Sequence, residues 1–352
     1  IKMYNLRNQK IDFAYHPQYI TEEVHNGKLQ RSRTEVGDLI MNIVGPPLGK
    51  LAIIPTTLPQ ANFNQAAVLI RPYKFKEVLV SYLKVYLEEM SEINSIATRG
   101  SAGQVNISLT QSQNMRIPIP PLNEVRRIIE EVSKYDILID SLKQNITDIQ
   151  NLIAYTKSKI LDLAIHGKLV PQDPNDEPAI ELLKRINPDF TPCDNGHYTQ
   201  LPEGWAICKM KQITSITNGK SQKNVETLNG IYPIYGSGGV IGRANQYLCI
   251  AGSTIIGRKG TINNPIFVEE HFWNVDTAFG LKANDAILDK YLYYFCLSFD
   301  FSKLDKSTAM PSLTKTSIGN VLIPIPPYKE QERIVAKIDM VLDTMNEILR
   351  AV

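Results

Sequence analysis

Two segments contain residue combinations that could support catalysis, and each lacks an essential member. Asn264–Phe267 is similar to the Asn-Pro-Pro-Tyr/Phe loop that holds the target amine in amino-methyltransferases, but the second proline is missing. Asn218–Ser221 is similar to the end of a phosphate-binding loop, but Thr214 stands where that motif requires glycine. We interpret both segments as turns, and the sequence predicts no active site in either.

Candidate metal ligands and nucleophiles are scattered. Asp173, Asp176 and Glu177 lie close together, but the prolines around them indicate a solvated connecting loop rather than a nuclease metal site. The five histidines form no metal-binding pair or catalytic triad. The four cysteines form no Cys-x-x-Cys pair, which favours reduced thiols over a zinc site or a disulfide framework. The sequence therefore favours a protein without catalytic or metal-binding residues.

Basic residues beside glycines or in polar stretches are the remaining candidates for binding chemistry. Gly257 and Gly260 flank Arg258 and Lys259, and glycine allows a backbone to approach a phosphate closely. Phosphate contacts should outnumber base contacts, and Arg, Gln or Asn would pair with base edges. For each residue, an ordinary solvated charge is an equally good interpretation. The candidate nucleic-acid contacts are Lys28, Arg33, Lys50, Arg99, Gln104, Lys220, Lys223, Arg243, Arg258, Lys259 and Lys306.

A cluster of tyrosines could also stack on bases. Tyr291, Tyr293 and Tyr294 stand at helical spacing beside Leu292 and Phe295. Because buried aromatic residues commonly cluster in this way, we predict that they belong to a hydrophobic core.

The composition is that of an ordinary globular protein. The chain has 352 residues, 43% of them hydrophobic, enough for two or three domains. A formal net charge of +2 permits a nucleic-acid partner but does not require one. No run approaches the roughly eighteen apolar residues that span a membrane. The first residue is Ile1 rather than Met, so we expect an N-terminal piece to be absent.

One long stretch of the sequence predicts the main structural element of the chain. Residues 117–121 (Ile-Pro-Ile-Pro-Pro) exclude a helix, and an apolar series with alternating steps of three and four then runs to Leu163, with a polar lapse at Thr156. His166 and Gly167 are typical of a helix end. At about 1.5 Å per residue this helix is on the order of 65 Å long, and so narrow a stripe needs a partner helix. The predicted seam is Val125, Ile128, Val132, Tyr135, Ile139, Leu142, Ile146, Ile149 and Ile153.

The same plan appears twice. Ile-Pro-Ile-Pro-Pro returns at residues 323–327, 206 positions later (117 to 323), and a helical apolar series follows it again. Upstream, Ser108–Thr110 matches Ser312–Thr314 as a strand, and Asn64–Ala66 is similar to Asp276–Ala278. A repeat this long predicts a duplicated domain rather than a solenoid. The second seam is Ile334, Ile338, Val341, Met345 and Ile348.

The apolar seams of the two helices can pack against each other within one chain. An antiparallel pair would hold a globular domain at each end, related by a pseudo-twofold axis. If both domains bind DNA, the length of the helices sets the separation of the two half-sites. The second helix ends at Val352 and is shorter, so we expect the seam toward Ile160 to lack a partner in this chain.

Several motifs occur in an order that is known from one protein family. The proline-rich boundaries followed by Leu122–Ile128 and by Tyr328–Ile334 are similar to conserved-region boundaries of that family, and Lys159–Val170 with Asp173–Ala179 is similar to its central region. Leu201–Trp205 (Leu-Pro-Glu-Gly-Trp) resembles the start of its target recognition domain. Over essentially its whole length the chain thus resembles the specificity (S) subunits of type I restriction-modification systems.

This resemblance implies a non-catalytic DNA-binding subunit that acts in defence against foreign DNA in the cytoplasm. Each target recognition domain would recognise one half of a bipartite double-stranded DNA site. The helices would dock two methyltransferase (M) subunits, and restriction/translocase (R) subunits would complete the complex. The chain itself would need no cofactor, whereas S-adenosylmethionine, ATP and Mg are expected on the partner subunits.

The expected fold class is mixed α+β, with two α/β target recognition domains joined by long helices that form an intramolecular antiparallel coiled coil with a pseudo-twofold repeat. The first domain lacks the Leu-Pro-x-Gly-Trp start and is expected to be incomplete at its N-terminus. The expected segments are a first recognition domain at 1–116, a long helix at 117–170, a connector at 171–200, a second recognition domain at 201–322 and a second helix at 323–352.

Two other interpretations stay open. A coiled-coil scaffold whose domains bind other proteins would show partner binding that salt does not weaken, and no retention on DNA. A separated specificity half of a fused restriction enzyme would be recognised by its neighbouring genes.

Overall fold

The structure is a computed structural model that describes residues 1–45, 48–58, 60–89, 98–99, 105–194, 198, 200–304 and 312–351. The chain forms two compact units, Ile1–Lys143 and Gln144–Val352. Among the described residues no helix is long and apolar enough to cross a membrane.

Short strands precede the long helix in the first unit. Its strands are β1 (Leu6–Arg7), β2 (Lys10–Ile11), β3 (Arg33–Thr34), β4 (Leu39–Asn42), β5 (Leu51–Ile53), β6 (Ala61–Asn62), β7 (Ala67–Ile70), β8 (Thr98–Arg99) and β9 (Val105–Asn106). Its helices are α1 (Glu22–Asn26), α2 (Lys76–Glu89), α3 (Leu109–Gln113) and α4 (Leu122–Ile165), the last of which continues into the second unit.

An antiparallel sheet in the order β5–β4–β7 forms the centre of the first unit. Leu39, Ile40 and Met41 of β4 are all fully buried, so this strand is covered on both faces. Leu39 and Met41 share a core with Leu87 of α2, and Ile40 shares one with Leu6 on the other face. The alternation of side chains along a strand explains this division.

A buried ion pair lies just before β4. The carboxylate of Asp38 is inaccessible to solvent and accepts hydrogen bonds from Arg71 Nε at 2.8 Å and from the backbone N–H of Glu35 at 2.7 Å. Lys76 Nζ lies 2.7 Å from Asp38 Oδ1. Burial by itself would raise the pKa of Asp38, but the bonds from Arg71 and Lys76 outweigh it and lower that pKa.

The second unit contains more strands and a second long helix. Its strands are β10 (Ala206–Lys209), β11 (Thr214–Asn218), β12 (Tyr232–Gly236), β13 (Gly239–Ala244), β14 (Ser253–Gly257), β15 (Ile266–Val268), β16 (Trp273–Asn274), β17 (Ala278–Ala283) and β18 (Leu322–Ile325). Its helices are α5 (Ala179–Ile186), α6 (Met210–Ile213), α7 (Asp289–Ser298), α8 (Lys315–Gly319) and α9 (Tyr328–Ala351).

The described residues of the second unit form three sheets. One is antiparallel in the order β11–β17–β14–β15, the second has the order β13–β12–β16 with β12 and β16 parallel, and the third pairs β10 with β18. The α7 helix contributes Tyr291 and Tyr294 to the main core, and the partly buried Tyr293 packs against it. The prediction that these tyrosines are core residues is confirmed.

The end of α4 and the start of α9 belong to the same core. Leu161 of α4 and Ile334 of α9 are buried in it, and Ile153 and Met345 are buried farther along each helix. The buried positions therefore move backward along α4 and forward along α9, which is the order expected for an antiparallel pair. Ile160 packs against this core, so the prediction of an unpartnered seam toward Ile160 is wrong.

Most of the exposed seam residues lie in the middle of α4. Because the 24 residues of α9 are fewer than the 44 of α4, the two seams differ in length. For the exposed positions, a role in a coiled-coil seam stays a prediction. Among the predicted seam residues, Val125, Ile153, Ile334, Ile338 and Met345 are buried, Ile128, Val132, Ile149 and Val341 are half-buried, and Tyr135, Ile139, Leu142, Ile146 and Ile348 are exposed.

The duplication is visible in the strand pairing. The order β15–β14–β17 repeats β5–β4–β7, with antiparallel pairing throughout. The N–H of Ile107 donates to Ile43 O at 2.8 Å, and the N–H of Leu313 donates to Arg258 O at 2.8 Å. Ile43 therefore corresponds to Arg258, and Ile107 corresponds to Leu313.

This correspondence corrects the alignment made from the sequence. Ser108 caps the N-terminus of α3, and Thr314 caps α8 in the same way. Ser108 thus corresponds to Thr314 rather than to Ser312, and Ser108–Thr110 begins a helix instead of forming a strand. The local Ser-Leu-Thr identity was misleading because hydrogen bonding, not residue identity, determines which positions are equivalent.

Candidate nucleic-acid interface

Three of the predicted contact residues in the second unit lie around the β13–β12–β16 sheet. The N–H of Lys220 donates to Asn274 O at 3.0 Å, and the indole of Trp273 donates to Lys220 O at 2.9 Å. Arg243 lies in β13, and its guanidinium donates to Ile231 O at 3.2 Å. Lys223 follows in the connection after Lys220. All three cationic side chains are exposed, so they can meet an anionic partner.

Arg258 and Lys259 lie at the end of β14. The N–H of Arg258 donates to Thr277 O at 2.7 Å, and Lys259 forms a β-bridge with Ser312. The Arg258 guanidinium lies 5.8 Å from the centre of the Phe279 ring, which leaves it half-buried, whereas Lys259 is exposed. Lys259 is therefore the more accessible cation of the two.

The flanking glycines have separate structural reasons. A Cβ at Gly257 would lie 1.9 Å from Thr261 O, so this glycine is required by internal packing. Gly260 has φ +76°, and a Cβ placed there would meet no atom of the described residues within 4 Å. This exposed glycine forms the tip of the loop. The expectation of a close approach to phosphate thus applies to Gly260 only.

The first unit shows a sparser arrangement. Lys28 and Arg33 are exposed near β3, and the half-buried Lys50 follows Gly49 at the start of β5, where its N–H donates to Asn42 Oδ1 at 2.7 Å. Arg99 belongs to β8. Gln104 and, in the second unit, Lys306 lie outside the described residues.

The equivalent loop tips of the two domains differ in chemistry. Val44 forms a β-bridge with Asn106 where Lys259 pairs with Ser312, and Gly45 has φ +78° where Gly260 has +76°. The first domain therefore presents Ile43 and Val44 at the positions where the second presents Arg258 and Lys259. Sequence comparison missed this pair because the two loops, residues 43–50 and 258–265, share only the glycine at their third position.

The buried carboxylate of Glu330 connects α9 to Trp205, the last residue of the Leu-Pro-Glu-Gly-Trp segment. Glu330 accepts hydrogen bonds from Trp205 Nε1 at 3.0 Å and from Gln172 Nε2 at 2.8 Å. Burial raises the pKa of Glu330, and these bonds only partly offset that effect. Arg333, one turn along, donates to Asp176 Oδ2 at 2.6 Å. Asp176 is thus bound to α9, and the prediction of a fully solvated loop is wrong for this residue.

No chemistry beyond binding is evident in the part of the chain that the structure describes. No group of at least three His, Cys, Asp or Glu side chains there could hold a metal ion. Burial raises the pKa of the Cys208 and Cys249 thiols to about 12, which leaves both protonated and unreactive at neutral pH. The exposed cations are therefore the groups with the clearest capacity to bind a ligand.

Two segments of the chain, residues 8–151 and 202–352, match the family model of the type I restriction modification DNA specificity domain. The chain belongs to this family, and the two matches coincide with the two copies of the repeated sheet.

Curated relatives carry related descriptions. The chain is 25% identical over 338 residues to the type I restriction enzyme EcoAI specificity subunit of Escherichia coli, covering 71% of this chain and 57% of that protein. It is 21% identical over 344 residues to the putative type I restriction enzyme MjaX specificity subunit of Methanocaldococcus jannaschii, covering 94% and 77%. The chain thus spans little more than half the length of the first of these relatives.

Two solved structures share the fold. The HsdS subunit from Thermoanaerobacter tengcongensis matches with a TM-score of 0.57 and 18% identity, over 91% of this chain and 76% of that one. A chain from a study of complex assembly and conformational transition of the type I R-M system matches with a TM-score of 0.60 and 20% identity, over 91% and 77%.

Proposed function

We propose that this chain is the non-catalytic DNA-recognition part of a type I restriction-modification enzyme, in which each specificity domain recognises one half of a bipartite site. One observation carries the proposal: both halves of the chain match the DNA specificity family and repeat one strand order, yet they differ at equivalent loop tips. Two copies of a fold with different exposed side chains suit a site whose halves differ in sequence.

The second domain supplies the clearer DNA-binding surface. Lys220, Lys223, Arg243 and Lys259 are exposed cations on one unit, and cations of this kind bind the phosphate backbone. Lys28, Arg33 and Lys50 would contribute in the first domain. Base recognition would come from the residues that differ between the domains, because phosphate contacts carry no sequence information directly.

The partners and cofactors follow from the same assignment. Two methyltransferase subunits would dock on the long helices, and restriction/translocase subunits would join them to act on DNA in the cytoplasm. S-adenosylmethionine, ATP and Mg would bind to those subunits and not to this chain.

Selection of DNA sites from a random duplex library tests the proposal. With methyltransferase subunits present, the complex is expected to enrich one split motif, and its affinity should fall steeply as salt rises. Recovery of no preferred motif, with binding that salt does not affect, would contradict DNA recognition and favour a protein-binding scaffold.

An exchange of domains tests the division of the site. Replacing residues 201–322 with the corresponding domain of a relative of different specificity should change one half-site and leave the other intact. Methylation mapping on genomic DNA measures both halves at once, and a simultaneous change in both would contradict independent recognition by two domains.

A further inference from the structure

The exposed apolar side chains of the second unit are concentrated in one stretch. Among the described residues of this unit outside the helices, every exposed large hydrophobic side chain lies between residues 228 and 250. This stretch contains the β12–β13 hairpin. A surface cluster of apolar residues indicates a binding site. Its members are Leu228, Ile231, Val240, Ile241, Tyr247 and Ile250.

The β12–β13 hairpin has a narrow tip. Gly236 pairs with Gly239, so residues 237–238 alone join the two strands. A Cβ at Gly239 would meet no atom of the described residues within 4 Å. Val240 and Ile241 are the first large side chains after the turn, and they dominate the surface of the tip.

A β-bulge lies at this apolar pair. Tyr235 pairs with Val240 and Ile234 pairs with Gly242, so Ile241 is the extra residue of the hairpin. Without the bulge, Ile241 would stand opposite the buried Ile234, but Gly242 takes that place instead. Val240 is 59% exposed and Ile241 is 55% exposed. The hairpin thus presents two adjacent β-branched side chains to solvent.

Charged groups adjoin the apolar pair. Arg243 is the next side chain after Gly242 on β13, and Lys220 is held by its backbone to Asn274 of β16; both cations are exposed. The carboxylate of Glu226 is also close, because its Oε1 lies 2.8 Å from the position of a Cβ at Gly242. A phosphate would be repelled by this carboxylate, whereas the amino groups of base edges would accept it as a partner. The charges therefore fit a duplex whose base edges face the hairpin.

The hairpin is also a part of the sheet that the first unit does not repeat. Asn42 pairs with Ala67 as Gly257 pairs with Ala278, so Ala67 corresponds to Ala278. β6 and β16 lie just before these two alanines and therefore correspond to each other. The β6 strand pairs antiparallel with β3, whereas β16 pairs parallel with β12 of the hairpin. The two domains thus differ in the strand beside this position, as recognition of different half-sites requires.

We propose that the β12–β13 hairpin enters the major groove of the half-site bound by the second domain, where Val240 and Ile241 contact the C5-methyl groups of thymine. This inference rests on the proposed function. The major groove admits a two-stranded β-ribbon, and the thymine methyl is the apolar group that it displays. Arg243 and Lys220 bind phosphates beside the groove. Val240 and Ile241 are then specificity-determining residues.

Deoxyuridine tests the contact, because it lacks only this methyl group and keeps the base pairing of thymine. The probe is the split motif selected with methyltransferase subunits present, substituted one thymine at a time in the half-site that the exchange of residues 201–322 assigns to the second domain. Affinity of the wild-type complex should fall roughly fourfold at one position or more, the order for one buried methyl group. The Val240→Ala/Ile241→Ala variant should bind thymine and uracil duplexes equally.

Ile186→Ala is the matched control. It shortens an isoleucine that is 39% exposed on α5 of the same unit, and it should keep the wild-type preference for thymine over uracil. Both variants should assemble with methyltransferase subunits as the wild type does, because the altered side chains are exposed. Size-exclusion chromatography with light scattering, without DNA, measures this assembly.

Three outcomes on DNA would overturn the inference while the proposed function stands. They are a selected half-site without any A·T pair, uracil that binds as tightly as thymine at every position of that half-site, and a hairpin variant that keeps the wild-type preference for thymine. Loss of assembly in the hairpin variant alone would also overturn it and would favour a methyltransferase subunit as the partner of this hairpin.

Failure of the proposed function would give a different result. In that case the wild-type complex selects no split motif and salt does not weaken its binding, and the inference about the hairpin fails with it.

Discussion

Lys259 and Val44 hold equivalent positions in the two domains, each bridged to the segment that precedes a short capped helix. The backbone hydrogen bonds preserve the loop, while the side chain is free to differ. Under the proposed function, a charged residue in one domain and an apolar one in the other would give each domain a different contact with DNA.

Replacing Lys259 with glutamine should weaken DNA binding about uniformly across sequences and reduce the salt slope by about one, as expected for one lost phosphate contact. The measurement is affinity at several salt concentrations for matched and random duplexes. Lys184→Gln, an exposed change on α5, is the control. An equal effect of both changes would remove Lys259 from the interface.

Asp38 gives the first unit a dependence on pH. Its pKa is lowered in the folded state, so the unfolded chain binds more protons in acid. The stabilisation is therefore present above the unfolded pKa and is lost as pH falls through the lower folded pKa.

The Asp38→Asn variant should lose about 3 kcal/mol of stability at neutral pH, because Arg71 and Lys76 lose a buried partner. As pH falls below about 4, the stability of the variant should change less than that of the wild type. Urea unfolding across pH measures both effects. Glu35→Gln, which alters an exposed carboxylate 3.1 Å from Arg71, should cost less than about 1 kcal/mol. Parallel pH profiles of wild type and Asp38→Asn would contradict this account.

At the scale of elements, α4 is one helix with two environments. Its last turns are buried in the second unit, whereas its middle exposes Tyr135, Ile139, Leu142 and Ile146. The heptad pattern is the same in both stretches. Burial differs because only the last part of α4 shares a core with α9.

This difference in burial predicts that the same Ile→Ala truncation lowers the free energy of unfolding by different amounts in the two stretches. Ile338→Ala should lower the free energy of unfolding by about 2–5 kcal/mol, since Ile338 is 0% exposed. Ile139→Ala should change it by less than about 0.5 kcal/mol, since Ile139 is 46% exposed. Urea unfolding compares them. A large cost at Ile139 would reveal a partner that covers this face in solution.

At the scale of the molecule, the chain contains two copies of a repeat, each made of a specificity domain and a long helix. Inserting seven residues between Asp136 and Lys157, matched in α9, should lengthen the helix by about 10.5 Å. At 3.4 Å per base pair, the gap between half-sites should grow by about three base pairs, while the half-site sequences stay the same. Methylation mapping provides the measurement, and an unchanged gap would contradict a spacing role for the helices.

The long helix, the duplication and the family resemblance follow from the sequence alone. Prolines at 117–121 and 323–327 exclude helix, and heptad spacing requires it afterwards, so these features are local and readable without a structure. The Tyr291 cluster was assigned correctly to the core for the same reason, because its helical spacing is a local property.

Whether two equivalent positions of the repeat have the same surroundings depends on the folded structure. Folding places Arg258 at the position of Ile43 in the repeat, binds Asp176 to Arg333, and leaves the middle of the α4 seam exposed. It also pairs residues 322–325 with β10, about 115 residues earlier in the chain. Burial and pairing depend on residues far away in the chain, and identical local sequences cannot report them.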